Sequence, residues 1–548
     1  MPAIETIEPA PASLSFNPAD PAVNAPLQIS APVHRAWRIL LVLTVLLAGA
    51  MFWVAPRLPM VDLPQHAAQV VAWRDLLTHH SAWQATLSAN LFTPYLMAYA
   101  LTLPLTFLMP AAAAVKVVLM LAFFGLVAAC VALRKELGGD SRLDWLFIPG
   151  FFGFAFKWGF MTFLVAAPFG VLFLLLALRY GKQPSLLGGL LTFGAGMLVF
   201  FCHGLVFLFV AAIGGCFLLA RGFRDGLPRL CVTAAPFIGL GAWSVLYNKL
   251  ANHAEAAVRI SDAASGGGYN AERLTHFILY VCAAGLRPDW MFMPMLAVMI
   301  AAPWLMGARF NVRSPGALVP LAAILAVWAL VPERMFPTTF HTSTPAAGTF
   351  FQASFVYQRF ALFLLPFYAF AFRRPNVGGA SAATPRRDAI VQALMACGCL
   401  VFIGVTAARF HRFGRESADF DTVSAAAQPG QRAIGLVFDT GSPAAMNSLA
   451  YMHFPLWYQA EKGGWVDFNF AWFHTAVVRY KPDALPPVEM GFEWNLANFD
   501  WNDPRYAGYR YFFVRRADPM PAYYFANAAS KVVLVKSAGE WKLYERAD

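Results

Sequence analysis

Apolar residues run in long unbroken stretches from Trp37 to Ala407, and the chain then changes to short alternating segments. A bilayer core needs about 20 consecutive apolar residues in a helix, or somewhat fewer where neighbours cover the ends. Stretches of that kind lie at Trp37–Ala55, Ala111–Leu133, Asp144–Phe156, Thr162–Leu178, Leu186–Phe201, Gly204–Ala220, Cys231–Tyr247, Trp290–Met306, Ala317–Val331, Phe360–Phe372 and Ala389–Ala407. They predict an α-helical polytopic membrane protein of about 11–13 spans. Beyond them, Arg432–Phe438, Tyr509–Arg515, Lys531–Lys536 and Trp541–Glu545 read as strands, and Asn447–Ala460 reads as a helix ended by Gly463-Gly464. The domain expectation is a disordered tail over 1–35, a membrane domain over 36–407 and a small α/β or α+β domain over 408–548.

Basic residues set an orientation. Clusters at Arg134/Lys135/Arg142, Arg179/Lys182, Arg221/Arg224/Arg229, Arg309/Arg313 and Arg373/Arg374/Arg386/Arg387 all fall on one side if the N-terminus is cytoplasmic, as the bias of lysine and arginine toward the cytoplasm requires. The C-terminal domain is then extracytoplasmic, or periplasmic in a bacterial inner membrane. The stretch Leu91–Met109 is apolar but carries Pro94 and Pro104, with Pro110 at its edge. Counting it as one span would reverse everything after it, so it reads as a re-entrant or interfacial hairpin, or as two short spans.

Composition sharpens this picture. Hydrophobic residues make up 59% of the chain and charged residues 13%, about half the charge content of ordinary soluble domains. The net charge of +11 is spread through the connecting loops rather than gathered in one patch, which argues against nucleic acid as a partner. All seven cysteines lie in or against apolar segments, so neither a disulfide framework nor a thiolate metal site is expected. No phosphate-binding loop, dinucleotide fingerprint or zinc-protease motif stands in a suitable setting, and Gly266-Gly267-Gly268 reads as a hinge.

Candidate chemistry gathers on the non-cytoplasmic side. Directly after the first span stands Asp62-Leu63-Pro64-Gln65-His66. Asp62 suits an N-cap and Pro64 the first turn of a helix that could lie along the membrane interface. Such a helix places Asp62 and His66 in one small site, although capping alone would account for Asp62 equally well. Lys157 interrupts an otherwise uncharged stretch, where an ammonium needs a partner, an anionic ligand or a path to the headgroups. His203 falls between two apolar runs, and Tyr357 and Arg359 open another after a loop containing His341. An arginine in that position can hold a phosphate through paired hydrogen bonds or anchor to headgroups. Arg287 and Asp289 read as a loop ion pair. Trp457, Trp465, Trp472, Trp494 and Trp501 could stack on sugars, with core packing the simpler role.

In layout and in these motifs, together with Lys157-Trp158-Gly159-Phe160 and Val331-Pro332, the chain resembles the GT-C superfamily of membrane glycosyltransferases. The resemblance implies transfer of a sugar from a polyprenyl-phosphate carrier to an acceptor hydroxyl of a glycan, lipid or protein, as in the building of cell-envelope polysaccharide. It implies Asp62 as catalytic base with His66 beside it. Lys157, His203, Tyr357 and Arg359 would bind the lipid phosphate or sugar. Many members carry a pair of acidic residues in the first loop, where this chain has His66 near Asp62, so a divalent metal held by Asp62 and His66 stays possible but unassigned. A transporter or lipid flippase, and a non-catalytic assembly protein, are the competing classes. Transporters tend to show paired internal repeats, and none is apparent.

Overall fold

The computed structural model describes residues 31–547 except 221, 252–272, 274–275, 283–288, 313, 334–353, 375–384, 474, 482, 489–490, 497–498, 500–502, 517 and 519–531. The tail up to residue 30, Gly266-Gly267-Gly268, Arg287, His341 and Trp501 therefore lie outside the described residues.

Four described helices are long and apolar enough to cross a membrane, at Arg35–Trp53, Ala111–Leu137, Met161–Lys182 and Arg386–Ala426. Shorter apolar helices at Leu186–Cys202, Gly204–Leu219, Trp290–Leu305, Val319–Leu330 and Val356–Phe370 pack with them. Large apolar side chains remain exposed on this bundle, among them Val42, Leu43, Leu46, Leu186 and Leu187. In water such a surface would be a liability, whereas in lipid it is the expected exterior.

Two expectations about the elements change and one is narrowed. Asp144–Phe156 is not one helix but 3-10 turns at Ser141–Phe147 and Pro149–Phe152 followed by the short helix Phe154–Trp158. Pro149 removes a backbone donor in mid-run. At Gly153 the chain passes so close to the Tyr280 and Val281 carbonyls that a Cβ would lie 2.5 Å from each oxygen. Leu96–Phe107 forms a single helical segment of apolar character, about 18 Å long at 1.5 Å per residue. That is too short to span, which fits the re-entrant or interfacial reading over two spans. Finally, the last long helix runs from Pro385 to Glu416, so it carries the chain straight through the boundary expected at residue 407.

Two of the basic residues counted for orientation are buried and paired: Arg134 with Asp144 at 2.6 Å, and Arg142 with Asp140 at 2.5 Å and with Asp388. Lys135 remains exposed.

The C-terminal region builds a five-stranded mixed sheet in the order Trp465–Asp467, Arg432–Val437, Tyr511–Arg515, Trp541–Arg546, Val532–Ala538. The first three strands are parallel and the last two antiparallel. All four sequence-predicted strands are present. Trp465–Asp467 was not foreseen, because three residues show no alternation. The predicted helix Asn447–Ala460 is turns until Leu456 and then helix to Lys462; Pro455 sits at the helix start, where its missing N–H costs nothing.

Strand periodicity separates two faces. Phe512 and Val514 join Ile434 and Leu436 in the sheet's own core. Tyr511 and Phe513 turn the other way, into the core shared with the helices. A strand buried on both faces reads as continuously apolar rather than alternating, and Tyr511–Arg515 is buried throughout.

Asp467 anchors this domain. Its fully buried carboxylate accepts hydrogen bonds from Tyr480 and from Tyr509 (2.7 Å), and pairs with Arg432 at 2.9 Å. Removing one partner of a buried pair leaves an uncompensated charge, so Asp467→Ala is expected to cost roughly 3–5 kcal/mol. Denaturant-induced unfolding followed by tryptophan fluorescence would show this, and an unchanged midpoint would contradict it.

Candidate active site

The site forms where the loop after the first helix meets the C-terminal domain. The helix Leu63–Leu77 is buried on all sides from Leu63 to Trp73, so it is not a membrane-surface helix. Its two buried glutamines, Gln65 and Gln69, face the C-terminal domain instead. Gln69 donates to the Val478 carbonyl at 3.0 Å and accepts from the Val478 N–H at 2.9 Å. Farther along the loop, Leu87–Ala89 pairs antiparallel with Val478–Tyr480. Arg57 adds a clamp through Glu461 at 2.7 Å and Asp421 at 2.5 Å. Val70, Trp73, Leu87, Trp465, Val477 and Tyr480 fill the space between.

Asp62 stands at the N-cap position of this helix, yet its side chain makes no capping bond. Its backbone is fixed by an N–H donated to the Trp158 carbonyl at 2.9 Å, while Val61 donates to the Lys157 carbonyl at 3.3 Å. Asn447 holds the two strands of chain together by donating to the Pro59 and Lys157 carbonyls, each at 3.1 Å. This close crossing requires a glycine at residue 159. Gly159 has φ +93°, and a Cβ there would lie 2.6 Å from the Asp62 nitrogen.

Around the Asp62 carboxyl stand Trp158, Arg359, Glu493 and His453. Burial pushes the carboxyl up to about 8. Arg359 opposes the rise, Glu493 adds to it, and the Trp158 side chain opposes it through a hydrogen bond. His453 Nε2 lies 3.5 Å from Asp62 Oδ1. Burial brings the His453 imidazole down to about 3 and lifts Glu493 to about 7. The site at neutral pH thus pairs a neutral imidazole with two carboxyls whose protons are held in the physiological range.

The other sequence candidates divide. His66 lies one helical turn beyond Asp62, but its Nδ1 is 2.7 Å from the Tyr99 hydroxyl and its ring also bonds the Gly159 backbone. Burial brings its imidazole down to about 3. With Nδ1 turned to Tyr99, the Asp62/His66 pair gains no third ligand: no group of three metal-ligating side chains occurs among the described residues. His203 is buried, with the Tyr95 and Phe163 rings edge-on at 5.1 and 5.3 Å, and its Nδ1 has no partner among the described residues.

Arg359 lies with its guanidinium 3.6 Å over the Phe160 ring and donates to the Ser354 carbonyl at 2.8 Å. Its Nε is buried without a partner, and no carboxylate among the described residues is within ion-pair distance. Lys157 points elsewhere, to the Cys282 carbonyl at 3.3 Å and toward Asp289, which is paired with Arg409. Tyr357 packs on Phe277 and Tyr280 beneath the Arg273 guanidinium, 4.5 Å from its ring. Asp62, His66, His203 and Arg359 therefore share one electrostatic neighbourhood, and Lys157 and Tyr357 do not join it. Of the tryptophans proposed for sugar stacking, Trp457 and Trp465 are core residues, whereas Trp494 is exposed.

Three contributors were not singled out from sequence. Gln65 was seen within its motif without a role, and His453 and Glu493 went unnoticed. The one local hint was a histidine in the apolar run Tyr451–Trp457.

Bundle, buried first loop and docked sheet domain define an integral membrane protein of the GT-C-like fold. The likeness is to a solved structure, ArnT from Cupriavidus metallidurans bound to undecaprenyl phosphate. The two match with a TM-score of 0.53 over 94% of this chain and 98% of that one, at 11% sequence identity. At that identity the likeness is one of fold. No family model matches the chain, and a search of curated proteins found no match.

Proposed function

We propose that this protein transfers a sugar from a polyprenyl-phosphate carrier to an acceptor hydroxyl on the extracytoplasmic face of a bacterial inner membrane. The observation that carries the reading is a buried site holding a carboxyl beside a cation that has no anionic partner in contact among the described residues. Asp62 takes the proton of the acceptor hydroxyl as its oxygen attacks the anomeric carbon. The bond from that carbon to the carrier phosphate breaks, and the phosphate leaves with the electron pair. Arg359 stabilises the negative charge that develops there, a role in which a fixed cation in a low-dielectric site is most effective. His203, whose Nδ1 has no partner among the described residues, accepts a hydrogen bond from the sugar, and Lys157 and Tyr357, which lie outside this group, take no part in the step. In this reading region 36–407 forms the membrane domain with the Asp62 loop on its outer face, 408–548 lies outside the membrane, and the N-terminus is cytoplasmic. The ArnT structure, which holds undecaprenyl phosphate, supports a carrier of this class.

The test is to incubate the purified full-length protein with a panel of undecaprenyl-phosphate-linked sugars and a membrane lipid and glycan extract, then measure released undecaprenyl phosphate by mass spectrometry. Release that depends on Asp62 is expected. Uptake into vesicles driven by an ion gradient, with no release, would favour a transporter and overturn the reading.

Binding can be measured separately. Undecaprenyl phosphate is expected to raise the thermal midpoint of the wild-type protein, since a ligand that binds only the folded state stabilises it. The gain should be smaller in Arg359→Ala. Equal gains in both proteins would remove Arg359 from the phosphate site.

A further inference from the structure

Donors and acceptors around Gln65 fix the tautomer of His453. The Phe470 N–H can only donate, and it lies 2.9 Å from Gln65 Oε1. That sets the orientation of the amide and turns Gln65 Nε2 toward His453 Nδ1 at 3.0 Å. An amide nitrogen donates, so His453 Nδ1 accepts, and the hydrogen of the neutral ring sits on Nε2. Nε2 is the atom that faces Asp62 Oδ1 at 3.5 Å. Gln65, His453 and Asp62 are all buried, so water does not compete for these positions. The contact is long, as catalytic hydrogen bonds often are before substrate binds, and such contacts tighten in the complex.

We infer that Gln65 and His453 act as positioning residues that hold the Asp62 carboxylate through the His453 Nε2–H, so that the C-terminal domain supplies part of the catalytic apparatus. This inference rests on the reading of Asp62 as the base. It also gives the proton a direction. His453 already carries its hydrogen on Nε2, and Gln65 occupies Nδ1, so the imidazole cannot accept a second proton without breaking that bond. The proton that Asp62 takes from the acceptor stays on the carboxyl and leaves through its other oxygen, rather than passing through the histidine. The remaining charged groups facing Asp62 are Arg359 and Glu493, with the Trp158 and Tyr99 side chains beside them. Neither charged group is bonded to the imidazole among the described contacts.

The test needs no sugar. A carbodiimide labels a buried carboxyl only in its protonated form, and the Asp62 peptide of the full-length protein in detergent can be followed by mass spectrometry across pH. Wild-type labelling is expected to fall by half near pH 8. Losing the donor in His453→Ala is expected to raise that midpoint by roughly half a unit to one unit, a three- to tenfold change in proton affinity. Gln65→Leu should move it the same way. The double variant should move it no further than His453→Ala alone, because both changes remove one connected interaction. His453→Gln, which keeps an N–H donor, should stay near wild type and covers the case in which the alanine variant does not fold. An unchanged midpoint in His453→Ala, additive shifts, or a His453→Gln midpoint equal to that of alanine would overturn the positioning role. The transfer reading can fail separately, through absence of carrier release, with the labelling result intact.

Discussion

Replacing Asp62 by Asn is expected to lower sugar transfer by about 10²–10⁴-fold, the usual worth of a positioned general base. The amide occupies nearly the same volume, so the crossing with Trp158 and Gly159 stays intact and the protein should still fold and bind the carrier. A base works only when deprotonated, and burial holds the Asp62 carboxyl at about 8. Wild-type transfer is therefore expected to rise roughly tenfold per pH unit up to about pH 8 and to level off above it. A rate independent of pH between 5.5 and 8, or an Asp62→Asn variant with wild-type turnover, would remove Asp62 from the chemistry.

Arg359→Ala is expected to lower transfer by roughly 10²–10³-fold, comparable to losing one donor to a developing oxyanion. The guanidinium has a carbonyl and an aromatic face for company but no carboxylate at contact distance among the described residues. A cation kept in that state is costly unless an anion arrives to compensate it. Removing it should relieve the free protein and penalise the complex, so the variant should be at least as heat-stable as wild type without carrier. Arg359→Lys should recover only part of the rate, since a point charge does not match the planar fork on a phosphate. A destabilised variant with unimpaired turnover would mark Arg359 as structural.

Much of this architecture is written in local patterns. Apolar runs located the helices because one lipid-facing or core-facing helix needs no distant information. The four longer strands of the C-terminal sheet appeared because their side chains alternate or run continuously apolar. The breaks came where an apolar composition hid a backbone event, as at Pro149 and Gly153, or where one Pro455 delayed a helix. Asp62, His203 and Arg359 were legible because a polar side chain beside an apolar run is conspicuous. His453 and Glu493 were not, because each belongs to the C-terminal sheet region, in which polar residues are ordinary. Their significance depends on what lies across the interface, and His66, close in sequence to Asp62, spends its ring on Tyr99 and Gly159 instead.

The contact between Gln65 and His453 joins residues 388 positions apart. At roughly 5–20 residues per second, a ribosome takes about 20–80 s to make the intervening chain. Throughout that interval the Asp62 loop is already synthesised while the domain that buries it is not. Until then Gln65 and Gln69 lack the His453, Phe470 and Val478 groups they bond in the folded chain, and Asp62 lacks His453 and Glu493 beside it. If Asp62 serves as the proposed base, its carboxyl reaches the neutral-pH range only once the stretch carrying His453 and Glu493 has docked over it, so synthesis itself times the moment at which this site is completed.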